Sequence, residues 1–213
     1  MPAEEQVLVV ERAVFDRIGV FQGLTFNVAR YLDALLAPGV PRFMGRPAAE
    51  VDPSYKQLIP YVLMTCAGKY LAYVRGKRAG EKRLVGQRSM GIGGHINPID
   101  DAPLFGLNMR EVYDRAVTRE VDEEVLVETG HHDHIVALLN DDSTEVGKVH
   151  LGIVHCWVLD ELKVSKRESM ITQPEFLSRA DLIAVRPELE TWSAFCVDHL
   201  DEIELRVRGV MIG

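Results

Sequence analysis

The chain has 213 residues, 47% of them hydrophobic and 26% charged, with a net charge of -8. That suits one large soluble domain, or one domain with a small appendage, and excludes a protein that coats nucleic acid, whose phosphates are gripped by surplus Lys and Arg. Three widely spaced cysteines, Cys66, Cys156 and Cys196, sit in apolar stretches with no Cys-x-x-Cys pair, so buried thiols in a reducing compartment are expected.

In chain order, the acidic opening Met1 to Glu5 lacks a following apolar core, which predicts no signal peptide. No run reaches the ~20 apolar residues of a membrane helix, so a cytoplasmic setting is expected. Residues 6 to 14 are rich in β-branched side chains and predict a strand. Leu24, Val28, Tyr31, Leu32, Leu35 and Leu36 follow helical spacing, with Thr25 as a cap and Pro38-Gly39 as a stop. The proline-rich stretch from Pro38 to Pro53 reads as irregular. We therefore draw a boundary near residue 55, with residues 1–55 as an N-terminal extension (strand plus helix) packing on a core of residues 56–213.

Residues 58–66 and 69–75 read as two strands joined at Ala67-Gly68, a hairpin signal. A basic loop follows, from Arg75 to Arg83, and Arg75, Lys77, Arg78 and Arg88 are candidates to touch a phosphate. The run Gly91-Ile92-Gly93-Gly94 is glycine-dense, but Ile96 stands where a dinucleotide fingerprint needs its third glycine. Beyond residue 127, His131-His132-Asp133-His134 reads as a turn rather than a zinc site, and Ile135–Leu139 and Val149–Leu159 as strands. His155, alone in an apolar strand, reads as a satisfied core histidine. Pro187 starts a closing helix through Trp192, Phe195, Val197 and Leu200.

The densest chemistry lies between Glu111 and Val127. Val112, Ala116, Val117, Val121 and Val125 recur at helical spacing, so the stretch predicts a helix with one buried face. Glu120, Glu123 and Glu124 stand three and four apart and project on one side, where like charges repel unless a cation offsets them. Hard oxygen ligands suit Mg2+ or Mn2+.

Gly93-Gly94-His95, then Glu111, then Arg119-Glu120-Val121-Asp122-Glu123-Glu124, resembles the Nudix box. The spacing of Glu111 to Arg119 fits, as does the aliphatic Val127. Phe105 and Leu126 stand where the family has glycine, and the chain between His95 and Glu111 is longer than usual. The resemblance implies a Nudix-type α/β/α sandwich with a mixed sheet, carrying the N-terminal extension. It implies a hydrolase that cleaves the diphosphate linkage of a nucleoside diphosphate derivative by metal-activated water. Glu120, Glu123 and Glu124 would hold Mg2+ (or Mn2+), with Glu111 assisting the metal or fixing the loop and Arg119 bracing the ligand carboxylates. Gly93 and Gly94 would let backbone approach the phosphates, with Arg75 and Arg88 beside them. A further acidic residue, Glu168 first and Glu175 second, would complete the metal site or act as base. The partner implied is a small phosphorylated nucleotide-type substrate, not a nucleic-acid polymer or a membrane. Phe43, Tyr55, Tyr70, Phe105 and Trp157 are the aromatic candidates for stacking on a base, and a homodimer is the expected assembly. Two other readings stand: a non-catalytic nucleotide-binding regulatory module with the same fold, and a diphosphate-ester isomerase.

Overall fold

The computed structural model of the chain describes residues 4–76, 86–100, 108–167 and 171–211. Its strands are β1 (Gln6–Glu11), β2 (Gly23–Thr25), β3 (Arg42–Gly45), β4 (Tyr55–Cys66), β5 (Lys69–Arg75), β6 (Arg88–Ser89), β7 (Gly91–Gly93), β8 (Val125–Val127), β9 (His131–Asn140), β10 (His150–Leu159), β11 (Val164–Lys166) and β12 (Ile171–Ser178). Its helices are α1 (Arg12–Ile18), α2 (Val28–Leu35), α3 (Arg46–Ala49), α4 (Met109–Glu124), α5 (Glu145–Lys148), α6 (Arg179–Ala184), α7 (Thr191–Asp198) and α8 (Leu200–Met211). Hydrogen-bonded neighbours in the main sheet run β12-β5-β4-β10-β9-β2, with β1, β3, β6 and β7 attached off this path and β8 paired with β11 apart from it. Among the described residues no helix is long and apolar enough to cross a membrane.

The chain divides into two compact units that interleave along the sequence. The first comprises Met1–Pro60, Gly93–Arg119 and Ala137–Ile153; the second comprises Tyr61–Ile92, Glu120–Val136 and Val154–Gly213. In the first unit β1 pairs antiparallel with β3 and with β4. Val7, Val9 and Ala49 form a core there, with Met44 and Tyr55 packed against it. Phe15, Phe21 and Tyr31 meet edge to face, with Phe15–Phe21 centroids 5.5 Å apart and Phe21–Tyr31 centroids 5.3 Å apart. An ion pair between buried Lys56 and half-buried Asp142 ties the unit's strands: Lys56 Nζ donates to Asp142 Oδ1 at 2.7 Å and to the carbonyls of Gly147 and His150.

In the second unit β5 pairs antiparallel with β4, β6 and β12. The β4–β5 turn is Ala67-Gly68, with φ of 50° and 73°, the left-handed pair that a two-residue hairpin of right-handed twist requires. The three cysteines are buried free thiols.

Several local expectations are corrected. The first strand ends at Glu11, and Arg12 opens α1, because Phe15 turns inward to join the aromatic cluster. Thr25 lies in β2 and Asn27 precedes α2. The stretch from Pro38 to Pro53 is not irregular: it holds β3, which pairs with β1, and α3, whose second residue is a proline placed where its missing N–H costs nothing. His131 to His134 belong to β9 rather than a turn. The residues after Pro187 form two helices, α7 and α8.

Candidate functional site

Helix α4 is built as its pattern dictates. Val112, Tyr113, Ala116, Val117 and Val121 are all buried. Asn108 caps the start: its Oδ1 accepts from the N–H of Arg110 and Glu111, while Glu111 Oε2 accepts from the Asn108 N–H at 2.9 Å. That reciprocal arrangement is a capping box. It places Glu111 at the helix start, roughly 13 Å of axial rise before Glu120, where one carboxylate oxygen fixes the loop. The helix ends at Glu124 rather than Val127. The Arg167 N–H donates to the Glu124 carbonyl at 3.0 Å and the Arg167 guanidinium to the Asp122 carbonyl at 2.8 Å, covering last-turn acceptors with positive charge. Val125 to Val127 then pair with Val164 to Lys166 as β8 and β11. Leu126 is therefore extended, and the family's glycine is not required there.

In the second unit the three carboxylates occupy different surroundings: Glu124 is buried, Glu120 half-buried and Glu123 exposed. Their ligand oxygens are not among the described groups that converge within 4.8 Å. Burial, then the charges of Glu120, Glu190 and Glu123, raises the Glu124 pKa to about 7 against the opposing pull of Arg75. Carboxylates thus outnumber the cations around Glu124. An all-oxygen donor set with surplus negative charge fits a hard divalent ion such as Mg2+ or Mn2+.

Arg75, expected on a phosphate, meets Glu190 in this structure. Its Nε donates to Glu190 Oε2 at 2.9 Å and its Nη2 to Glu190 Oε1 at 3.2 Å, so the fork of the guanidinium is engaged in a buried pair. Glu190 was not singled out from the sequence, yet it gathers the region. Its Oε1 also accepts from Tyr61 Oη at 3.0 Å and Ser89 Oγ at 2.6 Å. The sole advance signal was an acidic residue just before a helix. Arg88 pairs with Glu175 and Glu188, while its Nε is buried without a hydrogen bond. At Gly91 a side chain has no room: a Cβ there would stand 2.1 Å from the Tyr61 ring.

In the first unit Arg119 donates from Nε to Asp100 Oδ1 at 2.8 Å, and from Nη2 to Asp100 Oδ2 and the His95 carbonyl, both at 2.9 Å. Arg119 thereby ties α4 to the backbone that carries Gly93 and Gly94. Glu168, Lys77, Arg78 and Phe105 lie outside the described residues. Among the aromatic candidates, Tyr70 is buried with its hydroxyl on Glu204, and Trp157 stacks on His131 at 3.9 Å. His155 is buried, and its Nδ1 donates to Asp133 at 2.8 Å.

A strand-rich sheet flanked by helices, with an Arg-Glu-x-x-Glu-Glu helix opposite a glycine-dense strand in sequence, defines a Nudix-class protein. Comparison with solved structures agrees. No family model matches the chain. It is 34% identical over 206 residues to protein YmaB of Bacillus subtilis, covering 93% of this chain and 98% of the relative. It is similar to the crystal structure of Tm1382, described as a candidate Nudix hydrolase, at 28% identity and a TM-score of 0.75, over 94% of this chain and 99% of that one. It also shares the fold of a bifunctional NMN adenylyltransferase/ADP ribose pyrophosphatase from Francisella tularensis, at 12% identity and a TM-score of 0.50, over 70% of this chain and 42% of that one. The chain belongs to the Nudix hydrolase family, with the α/β/α sandwich and mixed sheet of that fold.

Proposed function

We propose that the chain is a metal-dependent hydrolase that cleaves the diphosphate linkage of a nucleoside diphosphate derivative, with Glu120, Glu123 and Glu124 holding Mg2+ or Mn2+. The observation that carries this reading is Glu124, a buried carboxylate raised to about 7 beside two further glutamates of the same helix. A bound divalent ion supplies neutralisation of diphosphate charge and a lowered pKa for attacking water. The chain's own residues do the rest. Burial and the charges of Glu120, Glu190 and Glu123 disfavour an ionised Glu124 on its own, and a bound cation would relieve that penalty and hold the carboxylate ionised. The charges of Arg75 and Glu190 act on that carboxylate in opposite directions, Arg75 favouring its ionised form and Glu190 opposing it. Arg119, through Asp100 and the His95 carbonyl, holds the Gly93-Gly94 backbone in place for a phosphate to approach. Glu168 remains the first choice for a further base, with Glu175 second. The Francisella relative was crystallised with AMP and a Mn ion, which is consistent with a nucleotide-type substrate here.

The test is Glu124→Gln assayed with Mg2+ against nucleotide sugars, ADP-ribose, dinucleoside polyphosphates, nucleoside triphosphates and prenyl diphosphates. The variant is expected to fold normally and lose turnover. Near-normal Mg2+-dependent hydrolysis by the variant would overturn the assignment. A wild-type chain that binds nucleotide without turnover points to a regulatory module, and one that rearranges a diphosphate ester without releasing phosphate points to an isomerase.

A further inference from the structure

A separate set of metal-ligating side chains lies wholly in the first unit. Glu50 follows α3, His95 follows β7 and His150 opens β10, and one ligand atom from each lies within 4.8 Å of the others. Among the described residues this is the one group of three His, Cys, Asp or Glu side chains that converges so closely. His95 Nε2 is shielded from solvent, has no hydrogen-bond partner and stands 3.9 Å from Glu50 Oε1. A buried ring nitrogen left without a partner costs stability unless something else satisfies it. His150 Nδ1 lies 2.7 Å from the Val146 carbonyl, to which it donates. That bond places the proton on Nδ1 and leaves Nε2 as the lone-pair nitrogen, the way backbone carbonyls orient metal-bound histidines.

We propose that Glu50, His95 and His150 form a transition-metal site of the zinc class, with three protein ligands and one open position, distinct from the carboxylates of α4. Two imidazoles and one carboxylate suit zinc or a neighbouring first-row metal, whereas the all-oxygen set of Glu120, Glu123 and Glu124 suits magnesium or manganese. Tetrahedral zinc with bonds of about 2.0–2.2 Å sets its ligand atoms roughly 3.3 Å apart, so the His95–Glu50 pair closes by about half an ångström on binding. Ligation needs neutral rings. Burial, reinforced by the charges of Arg46 and Arg119, depresses His95 to about 3, and burial lowers His150 as well. Arg46 opposes the metal, since its Nε donates to Glu50 Oε1 at 3.3 Å, while the same guanidinium also pairs with Glu5. The three ligands come from distant parts of the chain, so the ion would staple them together. His95 directly follows Gly94, and its carbonyl receives Arg119, so the staple would brace the glycine-bearing backbone.

The experiment uses the full chain, stripped with a chelator and titrated with Zn2+ against a chromophoric zinc indicator, with Co2+ absorbance as a second readout. A background variant, Glu120→Gln/Glu123→Gln/Glu124→Gln, removes the α4 carboxylates, so failure here is distinguishable from failure of the hydrolase reading. The background variant is expected to bind one Zn2+ per chain and to give tetrahedral Co2+ bands. Adding Glu50→Gln or His150→Ala should lower affinity at least tenfold. Should His150→Ala fail to fold, Glu50→Gln, at a half-buried position, decides the matter: zinc should raise the Tm of the background chain and not that of this variant. Zinc binding lost with the α4 carboxylates, or a Tm rise equal with and without Glu50, overturns the proposal.

Discussion

Replacing Arg75 with methionine keeps the length of the side chain and removes the guanidinium from a pair in which Arg75 is 16% exposed and Glu190 4% exposed. Glu190 then stays buried as an uncompensated carboxylate with only hydroxyl donors, Tyr61 and Ser89 chief among them. Breaking one side of a buried pair costs about 3–5 kcal/mol, and the retained hydroxyls argue for the lower end, about 3 kcal/mol. Urea unfolding followed by Trp fluorescence is a suitable assay, since Trp192 packs on Tyr61 with ring centroids 5.4 Å apart. The double variant Arg75→Met/Glu190→Gln removes both charges and should recover at least half of the loss. A single-variant loss below about 1 kcal/mol, or a double variant as unstable as the two losses summed, refutes the reasoning.

Gly91→Ala drives a methyl into the Tyr61 ring and should destabilise by about 3 kcal/mol, at the upper end of overpacking costs, read as a fall in the urea midpoint. Ala67→Asn places a residue that tolerates positive φ at the first hairpin position and should add about 0.5–1 kcal/mol; an unchanged or lower Tm counts against that turn geometry. Although burial alone would raise it, hydrogen bonds from Arg12 and Lys56 hold the Asp142 pKa below its ordinary 3.8. A depressed carboxylate contributes stability that is complete above the unfolded pKa and lost as pH falls through the folded one. Asp142→Asn should therefore flatten the acid limb of stability below about pH 4, and urea midpoints that stay parallel to wild type down to pH 2.5 would contradict the pairing.

Elements set by local rules were legible in the residues. The Ala67-Gly68 hairpin and the buried stripe of α4 follow from turn chemistry and helical period. What failed was decided at long range. The strand reading ran on to Val14, whereas the chain turns helical at Arg12, where Phe15 meets Phe21 and Tyr31. The prolines before residue 53 hide β3, which exists because β1 offers it an antiparallel partner. At the site, the acidic helix was readable because its carboxylates are neighbours in sequence. Glu190 was not, since its importance comes from Arg75, Tyr61 and Ser89, all far away along the chain. The Arg75 pair with Glu190 was hidden for the same reason: a basic loop carries no sign that one of its cations is turned inward.

Lys56 has one more consequence. Its ammonium has no exposed surface, and burial lowers its pKa even with Asp142 as partner. An amine reagent cannot reach it in the closed protein, although the depressed pKa would make it an eager nucleophile once reached. Acylation at this one position is thus a clock for opening of the strands around it, and its rate, set against that of the exposed Lys148, reports how often the interior breathes.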